Sequence, residues 1–354
     1  MKIGKLNIGI VALGFVSCLA SSVQAQQYSF RGLQSVPGYN FKVGQDLNNR
    51  RMIAGEAYSV DENGFHLTNM VAVKWNARGE VVSAGEIQEN ISTNVVAIDR
   101  RGRLGGVMEV GGWGRRRAFI TDMAGVPQML PLPGEDDGFL ETVLVDMNDR
   151  GDAVGSIEND NLEDNSIGAF LFHDGQIRQI SDGSVSAINN RGEVLLKEHG
   201  ELFLVRGLTG HGPLRRVRIP RLGRSHIEGM DLNEHGDVLF TVFNSYDEGS
   251  ITAIRTRAGQ IIRLPLLPGF ASMTGVSLNE SREVVGAACG LGEEGDEVCD
   301  PFLFTRGRLI NGRRIIDLRT GAFSRINDHG DILVHSFETP GLLVRRGEGR
   351  SSSR

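Results

Sequence analysis

The chain alternates short apolar runs with polar turn segments, and one such pattern recurs seven times. Its clearest copy is Asp146–Ser156, which reads Asp-Met-Asn-Asp-Arg-Gly-Asp-Ala-Val-Gly-Ser. Two apolar runs flank a polar segment that contains glycine, and this pattern predicts a tight β-hairpin. The Asn of each copy, replaced by Asp in the second, is the anchor of the repeat. The anchors are Asn48, Asp99, Asn148, Asn189, Asn233, Asn279 and Asn327.

The spacing of the anchors predicts the architecture. Successive anchors lie 41 to 51 residues apart, which is typical of four-stranded propeller blades. A third apolar run follows each hairpin, as at Ala169–Phe172 and Pro301–Phe304, and a fourth run is clearest at Gly259–Gly269. Sustained helical periodicity with capping residues is absent from the sequence. We therefore predict an all-β fold, a seven-bladed β-propeller.

The two ends of the chain predict how the ring closes. The last copy supplies a hairpin at 326–334 and a third strand at Leu342–Val344, after which the apolar pattern stops. The segment Tyr28–Gly38 at the other end matches the fourth-strand pattern. We expect this N-terminal strand to complete the last blade, because that arrangement leaves no free sheet edge at the joint.

The anchor residues are typical turn formers. An Asn side chain can hydrogen-bond backbone groups further along a turn, and a Gly three residues later can adopt a left-handed conformation. Arg51 and Arg282 replace that Gly in two copies, which predicts turns that are more strained or differently built. We interpret the anchors as structural residues rather than ligand-binding residues.

Residues 1–25 have the features of a secretory signal peptide. Lys2 and Lys5 precede the apolar run Ile8–Leu19, and Val23-Gln24-Ala25 offers small residues for cleavage. Lipidation at Cys18 is an alternative. The apolar run is short for a membrane span, so we expect an exported protein, periplasmic or extracellular, with no membrane span.

The predicted boundaries follow from these patterns. Residues 26–346 form one propeller domain, and the polar segment 347–354 forms a disordered tail. The formal net charge of the 354-residue chain is −6, and an exported acidic chain is a poor partner for nucleic acid. Cys289 and Cys299 are an even pair across one hairpin loop, so we predict a disulfide between them. A metal site at this pair would need further ligands, and no nearby His supplies one.

Candidate binding residues lie in the connections between second and third strands, which vary most in length. One of them, Gly111–Arg117, places Trp113 beside Arg115 and Arg116 and could stack on a sugar or meet an acidic partner, although a surface turn is the simpler interpretation. Two acidic loops, 158–165 and 293–297, could hold a cation, but neither has the spacing of a calcium loop. We predict no metal ion and no cofactor.

Motifs of common catalytic sites are absent from the sequence, including the Gly-x-Ser-x-Gly elbow, His-Glu-x-x-His and the phosphate-binding Gly-rich loop. We therefore identify no catalytic residues. Carboxylates are plentiful, however, and a pair facing each other could hydrolyse glycosidic bonds.

The repeat resembles a known bacterial family. Asp146–Gly155 with Ala169–Phe172, and Ser277–Gly286 with Phe302–Phe304, are similar to the HAF-type probable extracellular repeat, marked by Ile-Asn-x-x-Gly-x-Val-Val-Gly followed by His-Ala-Phe. Arg117 and Gly168 stand where that family has the His. The resemblance implies a secreted propeller-like protein without an assigned activity, and it transfers no catalytic residues.

Two functional hypotheses remain. The first is an exported, monomeric, non-enzymatic binding module for a protein or glycan ligand, bound at the channel mouth or on the face with the long loops. The second is a polysaccharide-active hydrolase or lyase using carboxylates at the channel mouth. Inward-facing charged residues from several blades would favour the enzyme. A channel lined by the small first-strand residues would favour the binder; these are Val96, Ala97, Val145, Val185, Ala187, Gly229, Gly275 and Val276.

Overall fold

The computed structural model is an all-β propeller of seven four-stranded antiparallel sheets, as the repeat predicts. The residues that it describes are 27–60, 67–84, 93–110, 114–134, 139–159, 166–210, 212–222, 226–243, 249–292, 296–317, 321–336 and 338–346. The predicted signal peptide 1–25 and the tail 347–354 lie outside these ranges.

The first strand along the chain is β1 (Tyr28–Gly32). Blade 1 then contains β2 (Phe41–Leu47), β3 (Ile53–Val60), β4 (Leu67–Trp75) and β5 (Val81–Ala84). Blade 2 contains β6 (Thr93–Ile98), β7 (Leu104–Val110), β8 (Arg115–Thr121) and β9 (Pro127–Met129). Blade 3 contains β10 (Leu140–Met147), β11 (Ala153–Asn159), β12 (Ser166–His173) and β13 (Gln176–Ser181).

Blade 4 contains β14 (Ser184–Ile188), β15 (Val194–Glu198), β16 (Glu201–Arg206) and β17 (Arg215–Arg218). Blade 5 contains β18 (His226–Leu232), β19 (Val238–Phe243), β20 (Ser250–Arg255) and β21 (Ile261–Arg263). Blade 6 contains β22 (Ser272–Leu278), β23 (Val284–Leu291), β24 (Glu297–Thr305) and β25 (Arg308–Asn311). Blade 7 contains β26 (Ala322–Ile326), β27 (Ile332–His335) and β28 (Gly341–Arg345).

The N-terminal strand completes the last blade, as predicted. Strand β1 pairs antiparallel with β28, in a register that sets Tyr28 opposite Arg345 and Gly32 opposite Gly341. The sheet order of blade 7 is therefore β1-β28-β27-β26. Within the described residues, helical structure is limited to a single 3-10 turn, Gly312–Arg314, which the sequence did not predict.

The hydrophobic core lies between the blades. Strands are short, and every sheet buries its faces against two neighbours, so each core cluster combines residues of adjacent blades. One cluster joins Ile53 and Trp75 of blade 1 to Leu333 and Leu342 of blade 7. The third-strand residues Phe119, Phe170 and Phe302 are fully buried. This packing holds the first strands around the axis.

The anchor turns have the predicted construction in every blade. In blade 3 the Oδ1 atom of Asn148 accepts hydrogen bonds from the backbone N–H groups of Arg150 and Asp152 at 2.9 and 3.0 Å. The glycine of this turn, Gly151, has a φ of 91°. Arg51 and Arg282 adopt the same left-handed conformation, with φ of 61° and 57°, so these turns are strained but not differently built.

Candidate functional site

A β-bulge in the first strand of every blade aims side chains at the axis. In blade 3 the register shifts between Leu144 and Asp146, so Val145 is the extra residue, and the same shift recurs in all seven blades. A bulge bends its strand and turns adjacent side chains toward one side. Gly155 of β11 lies opposite Leu144, next to the bulge. A Cβ at Gly155 would lie 2.0 Å from the carbonyl oxygen of Val143, which explains why the repeat has Gly after Val at this point.

The residues beside these bulges line an axial cavity of about 230 Å³. The cavity lies at the face that carries the anchor turns, which we call the turn face. Four charged side chains line its wall, Asp46, Asp146, Asp231 and Arg325. Apolar bulge residues lie between them, namely Val96, Val145, Met230 and Val276.

The wall carboxylates occupy alternate blades, and each one accepts a backbone N–H of the next blade; Asp146 and Asp231 also accept one from their own blade. The Oδ1 atom of Asp146 accepts from Met147 N–H at 2.8 Å, and its Oδ2 atom accepts from Ile188 N–H of the next blade at 2.8 Å. Asp231 binds Leu232 and Leu278 in the same way. The blades between them carry Ala97 and Ala187 at this position, since their backbone donors already have partners.

Arg325 is the cation of the cavity wall. Its Nε atom donates to Oδ1 of Asp46 at 3.2 Å, and its Nη1 atom donates to the carbonyl of Ser324 at 3.0 Å. Burial raises the pKa of Asp146 to about 7, and the charges of Asp46 and Asp231 add to the effect. Burial also raises the pKa of Asp231, against the lowering effect of a backbone hydrogen bond and of Arg325. The wall thus holds more carboxylates than one guanidinium neutralises.

The anchor side chains form a hydrogen-bonded ring around this cavity. In six blades the Nδ2 atom of the anchor Asn donates to the carbonyl of the next anchor, at 2.8 to 3.3 Å. The last of these bonds runs from Asn327 back to Asn48 and closes the circle. Asp99 has no amide to donate, so the link to Asn148 is missing, and its carboxylate instead accepts from Arg103 Nε at 2.7 Å.

A second ring, at the cavity rim, is built by the residue after each anchor. The Oδ1 atom of Asp149 accepts the backbone N–H of Arg100 at 2.6 Å, and that of Asn190 accepts the N–H of Asp149 at 2.7 Å. Glu234, Glu280, Asp328 and Asn49 continue the pattern. Arg100 cannot accept a hydrogen bond, so the rim ring is interrupted at this residue. The anchor ring is interrupted at the preceding residue, Asp99, so both interruptions lie at the anchor turn of blade 2.

The rim adds negative charge to the cavity. Four of its seven members are acids, Asp149, Glu234, Glu280 and Asp328, and they line the cavity together with Arg100. Burial is the main cause that raises the pKa of Glu234 and of Glu280, and each also feels the charge of a neighbouring rim acid. The four rim acids therefore place a ring of negative charge around the axial cavity, and we call this ring the acidic collar.

Half of the eight residues that the sequence placed at the channel do line the cavity. Val96, Val145, Ala187 and Val276 of the predicted set do line it. Ala97 and Val185 instead belong to the cores between blades. The wall aspartates and Arg325 were missed, although the signal was available: these residues stand two positions before their anchors.

The predicted binding triplet is divided by the structure. Trp113 lies outside the described residues. Arg116 binds two acids of blade 3, with N–O distances of 2.8 Å to Glu141 and 2.5 Å to Glu158, and so joins adjacent blades. Arg115 lies at the start of β8 opposite Val110. The acidic stretches 160–165 and 293–295 also lie outside the described ranges.

The predicted disulfide is present. Cys289 and Cys299 are opposite each other on β23 and β24, with an S–S distance of 2.02 Å. Glu297 lies close enough to the two sulfur atoms to complete a group of three potential metal ligands. A disulfide sulfur is not a thiolate, however, and the thiolate is the form of cysteine that ligates metals.

Comparisons with known proteins support the fold. The oligogalacturonate lyase solved in complex with manganese has a TM-score of 0.55 and 12% identity, covering 90% of this chain and 97% of that one. Virginiamycin B lyase from Staphylococcus aureus has a TM-score of 0.51 and 11% identity, covering 90% and 100%. YCF48 bound to D1 peptide has the same values. At identities this low, the structural similarity supports the propeller fold and shows nothing about the ligand of this chain.

No family model matches the chain, and the search of curated protein sequences also gave no match. Helices of the length and apolar character needed to cross a membrane are not found among the described residues.

Proposed function

We propose that this protein is an exported, non-enzymatic binding module that receives a cationic group of its ligand in the axial cavity. The observation that carries the proposal is the excess of carboxylates there: three in the wall and four at the rim, against Arg325 and Arg100. A lysine or arginine side chain of a protein partner, or an amino group on a glycan, would match this collar. Electrostatic complementarity of this kind gives specificity and fast association.

The raised carboxyl pKa values support a cationic ligand. A carboxylate whose pKa is raised by burial and by like charge is destabilised in its ionised form. A cation that enters the cavity interacts with Asp146 and its neighbours and lowers these pKa values. Binding of the cation therefore becomes stronger as the pH rises through about 7, the pKa of Asp146.

The hydrogen bonds of the wall favour binding over catalysis. Asp146 and Asp231 each use both carboxylate oxygens to accept backbone N–H groups. A general acid or base must be able to exchange its proton with a substrate. The wall aspartates are therefore held as structural acceptors that also supply a fixed negative potential. Export is supported by the disulfide and by the signal-like segment 1–25.

The second candidate is the polysaccharide-active hydrolase or lyase. It is favoured by one observation, since Asp146, with a pKa of about 7, lies in the same cavity wall as Arg325. By the criterion set out from the sequence, charged side chains from several blades converge on one face. A carboxyl that titrates near neutrality is suited to acid–base catalysis.

One experiment separates the two candidates. Isothermal titration calorimetry of the mature chain with spermidine and with oligolysine, at pH 6 and pH 8, should show saturable binding that is tighter at pH 8. The double substitution Glu234→Gln/Glu280→Gln should weaken it about tenfold, whereas Glu80→Gln, an exposed acid of blade 1, should not. Equal heats for polyglutamate would contradict a cation site, and turnover of a polysaccharide with loss of activity in Asp146→Asn would favour the enzyme.

A further inference from the structure

A second charge cluster lies between blades 4 and 5, and its charge is positive. Glu193 lies at its centre, and its side chain is 5% exposed. Arg191 Nη2 lies 2.9 Å from Oε2 of this residue, while Arg206 Nε and Arg257 Nη1 lie 2.8 and 3.2 Å from Oε1. Arg255 is the fourth guanidinium, beside Arg206. Two further carboxylates lie nearby: Asp237 accepts the N–H of Arg257 and pairs with Arg282, and Glu234 interacts with Arg191. The guanidinium groups still outnumber the carboxylates.

Arg206 has donors that the protein does not satisfy. Its Nε and Nη2 atoms are buried and have no hydrogen-bond partner among the described residues. The Nε atom is close to Glu193, but its N–H group is not directed at the carboxylate oxygen, so the contact is an ion pair without a hydrogen bond. Buried donors without acceptors are rare in folded proteins and destabilise the native state.

Arg255 adds a further positive charge beside Arg206. Its Nη1 atom donates a hydrogen bond to the main-chain carbonyl of Thr256 at 3.3 Å, and a neutral carbonyl does not balance a full charge. Burial lowers the pKa of Arg255, and the adjacent charge of Arg206 lowers it further. The guanidinium groups of Arg206 and Arg255 thus repel each other.

The backbone leaves space at this cluster. Gly236, the turn glycine of blade 5, has a φ of 80°. A Cβ at this position would lie 2.9 Å from Glu193 Oε2, 3.0 Å from Arg191 Nη2 and 3.1 Å from Arg257 Nη1. The absence of a side chain there allows the charged groups to converge at the protein surface, where Arg191 and Arg257 are about half exposed.

We propose that Arg206 and Arg255, flanked by Arg191 and Arg257, form a binding site for a tetrahedral oxyanion, such as a phosphate or sulfate ester. Guanidinium groups donate paired N–H bonds that match phosphate and sulfate oxygens. A doubly charged oxyanion at the half-exposed edge of the cluster would neutralise the excess positive charge, and a rotation of the partly exposed Arg206 side chain would present its free donors to that anion. This site is distinct from the axial cavity and has the opposite sign, so it does not depend on the function proposed above.

The first test is calorimetric titration of the folded protein with inorganic phosphate and, separately, with inorganic sulfate, at an ionic strength held constant with sodium chloride. Wild type should bind either anion saturably with one site per chain. The double variant Arg206→Gln/Arg255→Gln should bind at least tenfold more weakly. The matched control Arg308→Gln, an exposed arginine of blade 6, should bind like wild type. Absence of saturable binding in wild type, or wild-type binding in the double variant, would overturn the site.

The second test separates binding from folding defects. Without phosphate and at low ionic strength, Arg255→Gln should raise the melting temperature, because it removes the repulsion from Arg206. Added phosphate should raise the melting temperature of wild type and of Arg308→Gln, and should have no effect on Arg255→Gln. An equal phosphate effect in all three proteins would mean that the anion acts elsewhere.

Phosphate and sulfate differ in one respect: affinity for phosphate should increase from pH 6 to pH 8 as its second proton is lost, whereas affinity for sulfate should not.

Discussion

The guanidinium of Arg345 donates hydrogen bonds to the Tyr28 hydroxyl at 2.8 and 3.1 Å, although 317 positions separate the two residues along the chain. Arg345 also donates to both carboxylate oxygens of Glu283 in blade 6, at 2.9 and 3.0 Å. One side chain therefore joins the N-terminal strand, the last strand and the preceding blade. The joint of the ring depends on this contact as well as on backbone pairing.

Removal of this contact should destabilise the whole ring. We expect Arg345→Met to lower the free energy of unfolding by about 2 to 3 kcal/mol, because Glu283 would remain buried without its cation. Tyr28→Phe, which removes one acceptor, should cost about 1 kcal/mol. Urea unfolding followed by tryptophan fluorescence measures both. Arg346→Met, at the exposed neighbouring position, should behave like wild type, and equal stabilities for all four proteins would show that backbone pairing alone closes the ring.

The interrupted anchor ring can be completed by design. Asp99→Asn supplies the missing amide for the carbonyl of Asn148, but it also removes the carboxylate partner of Arg103. Asp99→Asn/Arg103→Met copies the pair found in blade 1, Asn48 with Met52, and should raise the free energy of unfolding by about 1 kcal/mol. Asp99→Asn alone should bring little gain. Thermal unfolding compares the two variants, and an unchanged double variant would mean that the missing bond carries no stability.

Two buried carboxyls, those of Asp146 and Glu56, should contribute stability that falls as the pH rises from about 4 to 7. The pKa of Asp146 is raised to about 7 by burial, and that of Glu56 is also raised to about 7, again mainly by burial. The unfolded chain loses these protons near pH 4, so the native state binds more protons across this window and is stabilised at its acidic end. The slope for each group reaches at most about 1.4 kcal/mol per pH unit.

Asp146→Asn tests the assignment of this slope. The amide cannot titrate, and its single oxygen can accept only one of the two N–H groups that Asp146 binds. The variant should therefore be less stable than wild type at pH 5, by about 1 to 2 kcal/mol, and the difference should shrink toward pH 8. Chemical unfolding at several pH values measures it. Glu80→Gln should keep the wild-type slope, and a parallel profile for Asp146→Asn would refute the raised pKa.

Reduction of the disulfide should weaken blade 6. The bond closes a loop with a sequence separation of 10, for which the chain-entropy relation gives about 2 to 3 kcal/mol. Cys289→Ser/Cys299→Ser should lose this amount in urea unfolding. Thiol titration of the denatured, unreduced protein should find no free thiol in the mature chain, and two reactive thiols would contradict the bond.

The local elements of the fold could be predicted because their causes are local. The Asn and Gly of each turn select a tight hairpin through their own backbone preferences, and the period of the apolar runs sets the number of strands for each blade. The count of blades follows from the count of anchors. The closure by Tyr28–Gly32 could be inferred because the last repeat lacks a fourth strand and the N-terminal segment is a strand without a blade of its own. Pairing the two satisfies the backbone hydrogen-bonding groups of both.

The axial site was missed because its residues are far apart in sequence, and their shared position two residues before the anchors gains a meaning only when the ring is formed. Asp46, Asp146 and Asp231 come together only when the ring closes, and the bulges that turn them inward are not visible as a pattern of apolar residues. The same holds for Arg206 and Arg255, whose charges meet across a blade boundary. The sequence by itself determined the repeated hairpin, the disulfide and the circular plan, since each depends on near neighbours or on repetition. Only the tertiary structure decided which side chains face the axis and how charge is distributed, since burial and the proximity of like charges arise when distant blades pack together.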